Sequence, residues 1–218
     1  MRITRRLFSN NIIITQLFFG IKGNFSALLE GNMQKERQYM QLEMRKVRLD
    51  SADVKRIYFD AFPKKERMPF PMMVAMSKLW HTQFWSFYDG DTLCGFVYLA
   101  RSRKIVFIMF LAVCESLRQK GYGSAILREI RSKYPDKKII VSIEPCDGGA
   151  SDLTVRERRK AFYGKNGYRE TGYRMKLGGV EQEILIAGGD FARKEFRAFF
   201  VLYSNGTMWP KIWEQMGR

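Results

Sequence analysis

The chain has 218 residues, which suits one domain with an extension better than two full domains. At 46% hydrophobic and 14% aromatic it can bury a core, so wholesale disorder is excluded. Its 38 Lys and Arg against 22 Asp and Glu give a net charge of +16, which favours anionic partners and says nothing about fold.

Residues 1–39 differ in character from the rest. Arg2, Arg5 and Arg6 precede the apolar run from Ile12 to Phe19, in the outline of a signal peptide. Gln16 breaks the run, and no clear small-x-small cleavage site follows. It is also too short to span a membrane, which takes about 20 apolar residues. Met33, Met40 and Met44 are alternative starts, and Glu30-Gly31 and Lys35-Glu36-Arg37 can be encoded by the purine-rich codons found in bacterial ribosome-binding sites. We therefore expect an N-terminal extension over 1–39, either upstream reading frame or disordered, and a domain over 40–218.

From there the pattern alternates. Residues 41–49 read as a strand, and Asp50 or Ser51 caps a helix with Val54, Ile57, Tyr58, Ala61 and Phe62 on one face. Pro63 ends it, and Pro69 and Pro71 lead into a short helix over 72–80. Residues 82–88 and 92–100, joined by Asp89-Gly90-Asp91, form a hairpin, and 104–113 adds a strand. A helix over 121–134, with Tyr122, Ala125, Ile126 and Ile130 inward, is closed by Pro135. The compact apolar run 138–144 suits a buried parallel strand. Ser151 or Asp152 caps a helix that stops at Asn166-Gly167. Runs 169–177 and 181–187 flank Gly178-Gly179 as a second hairpin, and Asp190 caps a last helix carrying Ala192, Phe196, Phe199, Phe200 and Tyr203. The order gives an α/β fold of the α+β type, with a mixed sheet and helices on both faces.

The most informative stretch is Arg118-Gln119-Lys120-Gly121-Tyr122-Gly123, between a strand and a helix. A helix that starts in a glycine-rich turn points unpaired N–H groups outward, and its dipole favours negative charge there. The spacing R-x-x-G-x-G is neither the dinucleotide fingerprint nor the P-loop. It resembles the acetyl-coenzyme-A signature of the GNAT superfamily of N-acetyltransferases, Q/R-x-x-G-x-G/A. Downstream, Phe162-Tyr163-Gly164-Lys165-Asn166-Gly167-Tyr168 resembles the end of that family's last common helix, F-Y-x-x-x-G-F/Y.

The resemblance implies a mostly antiparallel central sheet, and acetyl transfer from acetyl-coenzyme A directly to an amine without a covalent enzyme intermediate. It places Leu111 and Val113 against the pantetheine arm. Arg118, Gln119, Gly121, Gly123 and Ser124 fall at the pyrophosphate, and Tyr163 at the thioester sulfur as general acid. A phenol near its usual pKa of about 10 stays protonated at neutral pH. Glu144, at the end of a strand beside the cofactor site, is the candidate general base, with Glu115 second.

The acceptor pocket is expected among residues 64–85, with help from the hairpin near residues 170–182; Met72, Met73, Met76, Trp80 and Trp85 make the first region apolar and adaptable, although core packing accounts for at least half of them. His81 is the only histidine, and the three cysteines have no metal-ligand spacing, so we expect no metal and no histidine triad. The expected acceptor is a primary amine of a small molecule. A peptide or protein amine, or a non-catalytic coenzyme-A-binding regulatory module, is the alternative. No specific nucleic acid and no membrane partner is expected, and the chain is read as a cytoplasmic monomer or homodimer.

Overall fold

The computed structural model describes residues 40–147, 152–177 and 179–215. The chain divides at Met40, and the unit Gln41–Arg218 carries the fold given below. The expectations for residues 1–39, for Ser151 as a cap and for Gly178 in the second turn fall outside the described residues.

The elements begin with β1 (Glu43–Lys46), α1 (Ala52–Ala61) and α2 (Phe70–Met76). Three consecutive strands follow: β2 (Thr82–Asp89), β3 (Thr92–Arg101) and β4 (Ile105–Val113). Next come α3 (Tyr122–Lys133), β5 (Lys138–Ile143) and α4 (Leu153–Lys165). The chain closes with β6 (Arg169–Leu177), β7 (Val180–Ala187), α5 (Arg193–Tyr203) and β8 (Lys211–Glu214). The strands form one sheet in the order β1-β2-β3-β4-β5-β7-β6-β8. Among the described residues only β4 and β5 run parallel, because α3 carries the chain back between them.

Strand alternation sorts the core. On one face, Phe84, Phe96, Tyr98 and Phe110 meet Val54 and Tyr58 of α1 and Phe70 and Met73 of α2. That face continues through Ala100, Phe107, Ile140, Ile184 and Ile186 beneath Phe196, Phe199 and Phe200 of α5. Met109 touches both clusters. The other face receives α3, whose Ala125, Ile126, Leu127 and Ile130 are buried, and α4.

Several boundaries differ from expectation for identifiable reasons. β1 is confined to four residues at the sheet edge, although the Val47 N–H still donates to Phe84 O at 3.1 Å. α2 starts at Phe70, with Pro71 tolerated in the first turn, and ends at Met76 rather than reaching Trp80. Ser51 and Asp152 occupy N-cap positions without a side-chain capping bond. Ala192 is the N-cap of α5, while the expected cap Asp190 pairs with Arg169. Tyr122 does not point inward: its hydroxyl donates to Asp89 Oδ2 at 2.9 Å. β8 was not foreseen. It pairs antiparallel with β6, setting Ile212 opposite Met175 in the core.

Candidate active site

The site begins where two parallel strands part. β4 and β5 are paired over four rungs, from Ile105 opposite Lys138 to Ile108 opposite Val141. β4 then runs on to Val113 with partners only on β3, while Ser142 and Ile143 pair with β7. The cause is a bulge. Leu99 faces Ile108 and Tyr98 faces Phe110, so Met109 is an extra residue on β4. A bulge bends its strand and raises local twist, which swings residues 109–113 away from β5. Their β5-facing backbone groups therefore line a cleft, and that cleft contains the predicted Leu111 and Val113.

Past Val113, a short 3-10 turn (Glu115–Leu117) leads to Arg118 in extended conformation. Gln119 has φ 64 and Gly121 has φ 90, so two of three consecutive peptide positions are left-handed and the amides curl inward as an anion-binding concavity. Gly121 is the N-cap of α3 and needs no Cβ at that φ. No side chain caps the helix, and its first turn carries no acidic residue. Tyr122, Gly123 and Ser124 thus begin a twelve-residue helix at its electropositive end. Arg118 stands at the rim, its Nη1 3.8 Å from Glu115 Oε1.

Gly123 is small for a reason the motif alone did not reveal. A Cβ there would meet the Phe162 ring at 3.0 and 3.1 Å and Val113 Cγ2 at 3.6 Å. The two motifs, about forty residues apart, therefore touch at this glycine, and their contact fixes α4 beside the cleft.

That contact positions Tyr163, which is buried, with its ring 5.2 Å from Phe162 and 5.3 Å from Tyr168. Burial pushes its phenol up to about 12; Arg159 pulls the other way and Glu144 adds to the rise. The proton is held firmly at neutral pH. Glu144, just beyond β5, is bound by its Oε2 to Arg159 Nη1. Tyr163, Glu144 and Arg159 thus share one electrostatic neighbourhood at the open end of the cleft. Sequence reasoning missed Arg159, because Arg156, Arg158, Arg159 and Lys160 read as an ordinary solvated basic run. The available signal was its spacing, one helical turn before Tyr163 on the same face.

The expected acceptor-pocket residues scatter. Met73 is core, Met72 and Trp80 are exposed, and Trp85 lies on the opposite sheet face under Lys133 of α3, its ring 5.1 Å from Nζ. Met76 is packed against the α5 cluster. His81 is held structurally, with Nδ1 3.0 Å from Thr82 Oγ1 and its ring against Tyr203. Arg174 binds Asp147 with both terminal nitrogens, at 2.9 and 2.6 Å, tying the segment after Glu144 to β6. A depression of about 380 Å³ lined by Lys176, Glu181, Lys211 and Trp213 lies across β6–β8, away from the β4–β5 cleft.

Residues 80–170, from the start of β2 to the start of β6, match the family model of the acetyltransferase (GNAT) domain. Over that segment the chain carries a GNAT acetyltransferase domain. The GNAT fold recurs in solved structures at low identity. A Bacteroides thetaiotaomicron protein assigned to the GNAT acetyltransferases has TM-score 0.60 and 15% identity, covering 75% of this chain and 94% of that one. An aminoglycoside 6'-N-acetyltransferase solved with coenzyme A gives 0.53 and 15%, covering 66% and 95%. The Escherichia coli ribosomal-protein-S18-alanine N-acetyltransferase gives 0.50 and 14%, covering 70% and 96%. At these identities the likeness is one of fold. No curated protein matches the sequence.

A GNAT acetyltransferase domain implies acetyl-coenzyme A as cosubstrate, and the residues present fit it. The uncapped α3 terminus and the left-handed Gln119 and Gly121 suit a pyrophosphate. The β4 edge over residues 109–113 has peptide groups to offer an extended amide-bearing arm.

Proposed function

We propose that this chain transfers acetyl from acetyl-coenzyme A directly to a primary amine of a small molecule. The observation that carries the reading is the parting of β4 from β5 beside the uncapped N-terminus of α3. Acetyl-coenzyme A, when bound, supplies an acetyl group activated as a thioester. The chain's own part is to orient and to manage protons. Residues 109–113 fix an extended arm by backbone hydrogen bonds, and the amides at 121–124 with Arg118 hold the anionic end. Holding both reactants together supplies most of the rate gain.

Tyr163 keeps a proton on Oη, available to a departing sulfur. Tyr163→Phe is expected to lower kcat about 10- to 100-fold while KM for acetyl-coenzyme A stays within about threefold. Parent-like turnover of the Phe chain in steady-state assays would rule out the acid role. Glu144 accepts the amine proton, directly or through water, at Oε1, since Arg159 engages Oε2. The same ion pair favours one other reading: a carboxylate held by Arg159 is a weak base, and if Oε1 takes no proton from the amine the chain is a coenzyme-A-binding regulatory module without turnover.

The test is calorimetric titration of the full chain with acetyl-coenzyme A, then a panel of small-molecule and peptide amines with thiol-release detection. We expect binding, with turnover on a small-molecule amine. Turnover on peptides alone would replace the acceptor class, binding without turnover would favour the regulatory module, and no binding would overturn the proposal.

A further inference from the structure

Cys94 faces Cys114 across the open end of the β3–β4 pair. The register that sets Phe96 opposite Ala112 and Gly95 opposite Val113 places the next rung on these two cysteines. The Cys114 N–H donates to the Cys94 carbonyl at 2.8 Å, which confirms the rung. Strand parity puts both side chains on the face that carries Phe96 and Ala112. The thiols donate to two successive carbonyls, Cys94 Sγ to Thr92 O at 3.3 Å and Cys114 Sγ to Leu93 O at 3.0 Å. Both cysteines are free. Directly opposed residues of an antiparallel pair have Cα atoms about 4.5–5.5 Å apart, and a disulfide spans about 4.4–6.8 Å between Cα atoms. The backbone is already within bridging range.

We propose that Cys94 and Cys114 form a redox-modification site, closing a reversible cross-strand disulfide by exchange with a low-molecular-weight disulfide. Cys114 is half-buried and Cys94 fully buried, so Cys114 reacts first. Its thiolate attacks the small disulfide, forms a mixed disulfide and expels one small thiolate. The Cys94 thiolate then attacks the Cys114 sulfur and expels the second. Two protein thiols are oxidised, one small disulfide is reduced to two thiols, and the two protein protons pass to the leaving thiolates. Burial pushes both protein thiols up, so thiolate is scarce at neutral pH and the exchange is slow there.

The location gives the bond a consequence. Cys114 directly precedes the 3-10 turn that leads to Gln119 and Gly121. A covalent tie to β3 anchors the root of the segment that shapes the anion concavity. The inference stands on strand register and is independent of the acetyl-transfer reading. Cys146 lies past β5 near Lys160 and Glu183, and serves as an internal control.

The experiment incubates the full chain with excess oxidised glutathione at about pH 8.5, where thiolate is more abundant, then alkylates, digests and maps the cysteine peptides. The expected product joins the Cys94 and Cys114 peptides, leaves Cys146 outside the link, and reverts with dithiothreitol. Amide hydrogen exchange over residues 115–121 is expected to slow by about threefold or more in the oxidised chain. The Cys114→Ser chain should give no linked peptide. Circular dichroism establishes that each sample is folded. In folded protein, full alkylation of both cysteines, arrest at a glutathione adduct on Cys114, or a link through Cys146 would each overturn the site. A Cys94–Cys114 link with unchanged exchange over 115–121 would overturn the anchoring.

Discussion

A Gly123→Glu chain is expected to bind coenzyme A at least about 100-fold more weakly than the parent while still unfolding cooperatively. The first part of the effect is steric. A Cβ at this position would sit 3.0 Å from the Phe162 ring, tighter than nearly all such contacts, so the ring must give by a few tenths of an ångström. The second part is electrostatic. A carboxylate on the first turn of α3 satisfies the open amides itself and repels a pyrophosphate from the same seat. That self-capping favours the helix by about 0.3–1 kcal/mol, which is why the chain should still fold. Gly123→Ala separates the two parts, because it keeps the contact with Phe162 and lacks the charge. Its affinity is expected within about fivefold of the parent, with a small drop in Tm of about 2–4 °C. Calorimetric titration of both variants decides the matter. Parent-like affinity in the Glu chain would mean that the α3 terminus does not seat the anion.

Gly123 also shows where sequence reasoning stopped. R-x-x-G-x-G could be read as a phosphate approach because that demand is local: a left-handed residue at 121 and open amides after it. The second demand on position 123, room for Phe162, comes from a residue 39 positions later and is invisible until α4 lies beside α3. The cleft divides in the same way. Residues 104–113 and 138–144 were legible as strands from β-branched and aromatic runs, and Leu111 and Val113 could be carried over by resemblance. The bulge at Met109 that parts β4 from β5 was not legible, since the run through it is unbroken in hydrophobicity and the extra residue is defined only against β3. One expected cap failed for a related reason. Asp190 is a good local N-cap by type, but α5 starts at Arg193 with Ala192 at the N-cap, and the Asp190 carboxylate meets Arg169 of β6 instead. The strand β8 lacked any alternating run, because it needs only Ile212 to fill a gap over Met175.

The basic run on α4 hides a structural centre as well as Arg159, and it sets the largest stability effect we expect. Lys160 Nζ lies 2.8 Å from Glu183 Oε1 and 2.8 Å from Glu170 Oε1, and the Glu183 side chain is only 7% exposed. Burial alone would lower the lysine, but bonds from both carboxylates raise it, and Glu170 is held below its usual range chiefly by its bond to Lys160. Lys160→Met keeps the aliphatic packing and removes the ammonium, leaving a buried carboxylate beside a second one. Breaking a buried pair from one side costs about 3–5 kcal/mol. Because Glu170 is more than half exposed in its side chain, its share is screened, and we expect about 3 kcal/mol at pH 7. That is a fall in Tm of roughly 6–12 °C for a chain of this size. The pH dependence has a definite sign. In the parent, the depressed Glu170 contributes stability that is present above the unfolded carboxyl pKa and lost as pH falls through the folded one. In the Met chain that contribution of Glu170 is missing, so the deficit is largest at pH 7 and narrows as pH falls through the folded Glu170 value. Lys160→Met with Glu183→Gln should recover more than half of the loss, since no uncompensated buried charge remains. Urea unfolding of the parent, both single variants and the double variant closes the cycle. A Met chain within about 1 kcal/mol of the parent, or a double variant no more stable than the Met chain, would show that the pair does not hold α4 in place. The same measurement bears on chemistry, because Lys160 sits next to Arg159 and one turn before Tyr163 on the helix that delivers both to the cleft.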